Sequence, residues 1–213
     1  MELPARLFYS GELQSFADPS LVTSCLQFPG LNPSALGTTP LLFHGVTGQD
    51  VREAGSPSFF NPEEIFIVVN YAEQLIKSGG VDEDDIGIIT PYRRQVQKLI
   101  WRLGERNMQD VMVGTTEEFQ GQERKVIILS TVRSSPEYVS LDRKHRLGFL
   151  ADAKRFNVSI TRSRALLIIV GNPFILSQVM SLFSSNIFNS CLFRTSIGRS
   201  SCSTLWTWIV IKE

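Results

Sequence analysis

An α/β domain, its parallel sheet covered by helices on both faces, is the fold class this sequence predicts. Two observations carry the prediction, and composition agrees. Ile86–Thr90, Val126–Thr131 and Ala165–Gly171 are almost continuously apolar instead of alternating, the pattern of strands buried on both sides. Stretches with helical spacing of apolar residues separate the strands, so the connections are crossovers and not hairpins. Hydrophobic residues make up 43% and charged residues 20% of 213, the balance of a folded globular chain and not of a disordered one.

In chain order, residues 1–39 are turn-rich, with Pro19, Pro29, Gly30, Pro33 and Gly37 punctuating short apolar pieces, and read as an irregular linker. Pro40-Leu-Leu-Phe-His-Gly-Val46 reads as the first strand, followed by a loop over Thr47–Ser58. Asn61-Pro62-Glu63-Glu64 is a helix start: Asn caps, Pro occupies the first turn, and two acids sit at the positive dipole end. Ile65, Val68, Val69, Ala72 and Leu75 continue at helical spacing until Gly79-Gly80. After the strand Ile86–Thr90 comes a helix over Pro91–Gly104, with Val96, Leu99, Ile100 and Leu103 on one face. Val111–Gly114 is a short strand. A helix is expected over Arg155–Arg164, then the strand Ala165–Gly171 and a last helix from about Pro173. The domain thus spans 40–176. Residues 177–213, rich in Ser, Phe and Trp, form a tail of different character.

Charge and cysteine content narrow the classes. Lys+Arg and Asp+Glu both total 21, so any polyanion site must arise from local clustering. Three widely spaced cysteines give no metal motif and fit a reducing compartment. No apolar run reaches the ~18–20 residues that span a bilayer, so no membrane partner is expected.

Three blocks carry polar residues where such a sheet uses them, beyond strand ends. In Gly87-Ile-Ile-Thr-Pro-Tyr-Arg-Arg-Gln-Val96, Thr90 and the helix start offer a hydroxyl and backbone N–H groups to an anion. Tyr92 adds a stacking plane and Arg93 a cation. The plain alternative is an ordinary strand–helix turn with surface arginines, and spacing alone favours it.

The second block is Val113-Gly-Thr-Thr-Glu-Glu-Phe-Gln-Gly-Gln-Glu-Arg-Lys125. Thr115, Thr116, Gln120 and Gly121 can hold a phosphate or sugar through hydroxyl and backbone N–H contacts. Glu117, Glu118 and Glu123 cannot bind phosphate directly, yet one can accept from a ribose hydroxyl or order a metal-bound water. The alternative is a capping arrangement with Thr116 as N-cap and Phe119 as core plug. Composition does not choose between the two.

The third block is Lys154-Arg-Phe-Asn-Val-Ser-Ile-Thr-Arg-Ser-Arg164. Arg143, Lys144, Arg146, Lys154, Arg155, Arg162 and Arg164 cluster there against Asp152 alone. On a helix Arg155 and Arg162 share a face, and arginine suits a planar, permanently charged meeting with phosphate oxygens. A solvated basic face is the alternative.

Taken in order, ITPYRRQV, VGTTEEFQGQERKVIILSTVRS and LGFLADAKRFNVSITRSRALLIIVGNP resemble motifs IV, V and VI of superfamily 1 helicases. LFHGV…SPSFFNPEE, Leu42–Glu64, resembles the Moloney leukaemia virus 10/Armitage branch. The resemblance covers about Ala5 to Pro173 and implies a RecA-like parallel sheet, a P-loop NTPase fold in its second helicase domain. It implies that Arg162 is the catalytic arginine finger, and that Gly121, Glu123 and Arg155 line the ATP cleft with it. It further implies that Thr90, Tyr92, Arg93, Thr115, Thr116 and Gln120 face RNA or the interdomain cleft. ATP with Mg²⁺ is the implied cofactor, held mainly by a first RecA-like domain. Single-stranded RNA, that first domain, and Argonaute or Piwi silencing proteins are the implied partners, in the cytoplasm and its RNA granules.

The departures are as informative. No G-x-x-x-x-G-K-[ST] occurs, so the β/γ-phosphate cradle is missing, and no metal site is expected. The leading expectation is the C-terminal motor domain of a 5′→3′ ATP-dependent RNA helicase in small-RNA or Piwi-interacting RNA silencing, inactive as this piece alone. A truncated RNA- or partner-binding module and a DNA-acting superfamily 1 helicase are the other two.

Overall fold

Parallel pairing without gaps requires strands that bury both faces, and the sequence supplies them. The computed structural model describes residues 10, 12, 17–28, 31, 40–53, 56, 58–78, 80–138 and 153–176. The expected 177–213 tail, much of the 1–39 linker, and Arg143, Lys144 and Arg146 lie outside the described residues. In chain order the elements are a short helix α1 (Pro19–Thr23) and strands β1 (Leu41–Gly45), β2 (Val51–Arg52) and β3 (Phe59–Phe60). Helix α2 (Pro62–Lys77), strand β4 (Ile86–Ile89), helix α3 (Arg93–Gly104) and strand β5 (Met112–Gly114) follow. Strand β6 (Arg124–Ser130), helix α4 (Ala153–Ile160) and strand β7 (Ser163–Gly171) complete the set. The main sheet has the order β1-β7-β6-β4-β5, every neighbouring pair parallel. This is the RecA-like α/β arrangement.

Two cores follow from the two-residue period of β6. Val126 and Ile128 face one side, where α2 and α3 contribute Ile65, Val68, Leu75, Leu99 and Leu103. Ile127 and Leu129 face the other, packed against Phe119 and against Phe156 and Ile160, one turn apart on α4. Among the described residues no helix is long and apolar enough to cross a membrane.

Four differences from the sequence-based expectations have physical causes. The Thr47–Ser58 loop contains β2, which pairs antiparallel with β3 as Val51–Phe60 and Arg52–Phe59. On α3 the buried face runs through Gln95, Val96, Leu99 and Leu103, whereas Ile100 is exposed. The sheet takes the 95/99/103 row, leaving Ile100 outside. Helix α4 starts at Ala153 and stops at Ile160, so Arg162 belongs to the turn into β7. It therefore shares no helical face with Arg155. Finally, Glu64 is not a solvated acid at the dipole end of α2 but is fully buried.

A polar lattice surrounds Glu64 at the carboxyl end of β6. Its Oε2 accepts from Ser130 Oγ at 2.6 Å and from Val132 N at 2.9 Å. Gln95 donates to Ser130 Oγ (2.9 Å) and accepts the Asn61 N–H (2.9 Å), while Asn61 Nδ2 donates to Val132 O (3.1 Å). These bonds hold Val132 at φ 69, a left-handed conformation costly for a β-branched residue. The Arg133 N–H closes the turn onto Thr131 O at 2.8 Å. Arg133 then points inward, bonded to Asp50 at 2.7 Å with both side chains fully buried. Its guanidinium lies 3.8 Å from the ring centre of Phe59 and 4.8 Å from that of Tyr92.

Arg133→Met should cost about 3–5 kcal/mol in urea unfolding, because Asp50 stays behind as an uncompensated buried charge. Asp50→Asn in the same chain should recover part of that loss; a single-variant cost below about 1 kcal/mol would contradict the role given to the pair. Burial pushes the Glu64 carboxyl up to about 8, against the opposing pull of its hydrogen bonds. The folded state therefore binds this proton more tightly than the unfolded chain. The stabilisation is complete below the ordinary carboxylate range and is lost as pH rises through about 8. Melts from pH 5 to 9 should show this decline, with a limiting slope of about 1.4 kcal/mol per pH unit, and Glu64→Gln should flatten it.

Candidate functional site: the 115–123 crossing segment

The chain has to return from the carboxyl end of β5 to the amino end of β6, and residues 115–123 make that crossing. At its start, Thr90 N donates to Gly114 O at 3.1 Å, so the ends of β4 and β5 are locked together. Glu118 folds back so that its Oε2 accepts the Thr115 N–H at 2.7 Å. Its Oε1 accepts from Arg93 Nη1 at 2.6 Å, at the first residue of α3. Gly114 permits this approach, since a Cβ there would stand 2.9 Å from Glu118 Oε2. The Thr115 N–H first, and the Arg93 guanidinium with it, hold the Glu118 carboxyl below the usual carboxylate range despite some burial.

The middle of the segment is pinned to α4. Phe119 is fully buried beneath it, as the core-plug alternative expects. Thr116 Oγ1 lies 3.1 Å from Ser159 Oγ, so this hydroxyl serves the packing of the segment on α4. Arg155 meets Glu117 at 2.9 Å. Gly121 adopts φ 77 with nothing within 4 Å of a notional Cβ. Its glycine requirement is thus conformational, and the space above it is open. Gln120 and Glu123 are exposed.

The far end reaches Arg162. The Arg124 N–H donates to Arg162 O at 3.1 Å, which sets the 162 backbone beside residue 123. The Arg162 side chain is half-buried; its Nε donates to Val158 O (3.0 Å) and its Nη2 to Thr161 Oγ1 (3.2 Å). Thr90 and Arg162 occupy opposite ends of the sheet. β6 runs from Arg124, beside Arg162, to Ser130, a rise of roughly 20 Å at the usual strand spacing.

Two sequence-based assignments need correction. The Tyr92 ring is buried against Phe59 and the Arg133 guanidinium, so it presents no free stacking plane. The start of α3 is not an open anion cradle either, because the Arg94 N–H is taken by Ser58 Oγ at 3.1 Å. Thr90 is buried, and its hydroxyl finds no partner among the described residues. The remaining candidates divide into an Arg93/Thr115 group at one end and a Glu123/Arg162 group at the other, joined by the crossing segment. Sequence reasoning missed Glu118 as a ligand of both Thr115 and Arg93, and the only sequence signal for it is its spacing of three from Thr115, which suits a back-bond to an N–H.

Comparison with known proteins agrees with this fold. The family description "AAA domain" matches residues 1–173. The chain is 51% identical to human RNA helicase Mov10l1 over 176 residues, covering 82% of this chain and 14% of that protein. It is 49% identical to mouse RNA helicase Mov10l1 over 178 residues, 83% of this chain and 15% of that protein. With "Probable RNA helicase armi" of Drosophila melanogaster it shares 43% over 145 residues, 68% of this chain and 12% of that protein. The chain thus spans a fifth or less of the length of the curated relatives it matches. The matched length and the parallel sheet together make the chain a member of the AAA domain family, as a helicase domain of the Mov10/Armitage type.

Proposed function

We propose that this chain supplies the second motor domain of an ATP-dependent RNA helicase of superfamily 1B, moving 5′→3′ on single-stranded RNA. The names of its relatives support the RNA half of that statement. The motor half is supported most by one arrangement, the crossing segment bonded to Arg93 at one end and ending beside Arg162 at the other. A rigid segment touching both groups can couple a change at one to the other.

In this scheme Arg162 is the arginine finger. Two of the five guanidinium N–H groups are engaged in its own turn, leaving three for the γ-phosphate. Glu123 accepts from ribose, open Gly121 lets nucleotide approach, and Arg155 braces the segment through Glu117. A donor set of one exposed carboxylate and two arginines fits one wall of an ATP site. Among the described residues no three His, Cys, Asp or Glu side chains group to hold a metal ion. Mg²⁺ and most β/γ-phosphate contacts are assigned to a first RecA-like domain, since this chain has no G-x-x-x-x-G-K-[ST]. Arg93, Thr115 and Gln120 serve the RNA side, with Thr90, Tyr92 and Thr116 shaping it from beneath. A place in small-RNA and Piwi-interacting RNA silencing, with Argonaute or Piwi partners in cytoplasmic granules, rests on family resemblance alone.

Arg162→Ala should lower RNA-stimulated ATP turnover of the longer helicase by about 10³-fold or more, with the fold retained. Turnover within tenfold of wild type would sink the assignment of the finger. The 213-residue chain alone should hydrolyse no measurable ATP, because a cleft wall without its phosphate cradle cannot position the substrate.

A further inference from the structure

Glu118 makes a capping-box back-bond and at the same time holds a cation. Its two oxygens span the Thr115 N–H (2.7 Å) and the Arg93 guanidinium (2.6 Å), one backbone donor and one cation. That pair of donors is the set that binds a phosphodiester oxygen pair. The ion pair lies at the surface, with 70% of the Arg93 side chain and 42% of the Glu118 side chain exposed, so an incoming strand can reach it. The glycine at 114 leaves room for the carboxylate, since a Cβ there would stand 2.9 Å from Glu118 Oε2.

We propose that Glu118 is an internal stand-in for a nucleic-acid phosphate, occupying the Arg93/Thr115 site until a single strand displaces it. This rests on the RNA-facing reading of Arg93 and Thr115 and adds the residue that sets their affinity. Binding of a strand exchanges one anion for another: the phosphate takes the guanidinium and the N–H, and Glu118 swings into water with its own counterion. The carboxylate therefore weakens the grip on the strand and lets the domain release it. A surface ion pair of this kind makes only a modest difference, which suits a contact that must form and break repeatedly.

The test uses the purified 213-residue chain and fluorescence anisotropy with labelled oligouridylate and oligothymidylate across a salt series. Glu118→Gln keeps an oxygen for the Thr115 N–H but removes the charge from Arg93. It should bind both oligonucleotides about two- to fivefold tighter, since phosphate and not sugar is read. Its plot of log affinity against log salt should be steeper by about 0.7, one added counterion released per strand. Arg93→Gln should cost more in the Glu118→Gln background than in wild type. Unchanged or weaker binding by Glu118→Gln at an unchanged melting temperature overturns the proposal, as does a gain confined to oligouridylate. Should the Glu118→Gln chain melt early, Glu118→Ala, which likewise removes the charge, must show the same gain and steeper slope, and its failure to do so overturns the proposal as well. Failure of wild type and variants alike to bind either strand would instead overturn the RNA-facing reading and this inference with it.

Discussion

A carboxyl group with no water around it must either keep its proton or be fully bonded, and Glu64 does some of both. Its Oε2 draws in a serine hydroxyl and the N–H of Val132, while its environment favours the protonated form. The consequence is mechanical. Val132 has a backbone conformation that a β-branched residue rarely takes, and it keeps it because Glu64 and Asn61 bind its N–H and C=O from α2. The turn so fixed directs Arg133 inward onto Asp50, between the rings of Phe59 and Tyr92. Helix α2, helix α3, the β2–β3 hairpin and the end of β6 thus meet in one set of bonds. Because α3 is anchored there through Gln95, the position of Arg93 at its first turn follows from the same lattice.

The sheet then does the spatial work. A parallel order in which β4 lies between β5 and β6 obliges the connection between those two to cross β4. That connection is the 115–123 segment, and it crosses with its one large apolar residue, Phe119, turned inward. Everything polar on it is left to face α3, α4 or water. Groups roughly 20 Å apart along the strand direction thereby belong to a single short stretch of chain. A helicase needs its nucleotide and its strand to be sensed by one body, and such a crossing is an economical way to achieve that.

How much of this was legible in the residues depends on the range of the interactions. Apolar runs of β4, β6 and β7 and the Asn61-Pro62 start of α2 are local patterns, and their boundaries fall within a few residues of those expected. The motif strings carry the site in the same way, since each is contiguous. What sequence did not yield are pairings across long separations. Asp50 and Arg133 are 83 positions apart, and Asn61 meets Val132 across 71. Glu64 and Gln95 each occupy a helix position whose polarity suggests solvent, and only the neighbouring strand end makes burial tolerable. Arg162 falls outside the expected helix because the β-branched Ile160 and Thr161 favour leaving it early, while no glycine or proline marks the stop in the sequence.

The distribution of acids over the site is the last piece. Three glutamates fall within seven residues, and a polyanion surface should avoid that density. Two of them are spent on arginines: Glu117 on Arg155 and Glu118 on Arg93. Neutralised this way, the segment packs without self-repulsion between the basic starts of α3 and α4, and the chain as a whole stays at zero net charge. Of the three, Glu123, beside Arg162, is the one whose exposed carboxylate has no hydrogen bond or ion pair among the described residues. Uncompensated cations on such a surface would hold phosphate tightly and slow its release. Pairing Arg93 with Glu118 and Arg155 with Glu117 holds these two cations in place through contacts weak enough to exchange.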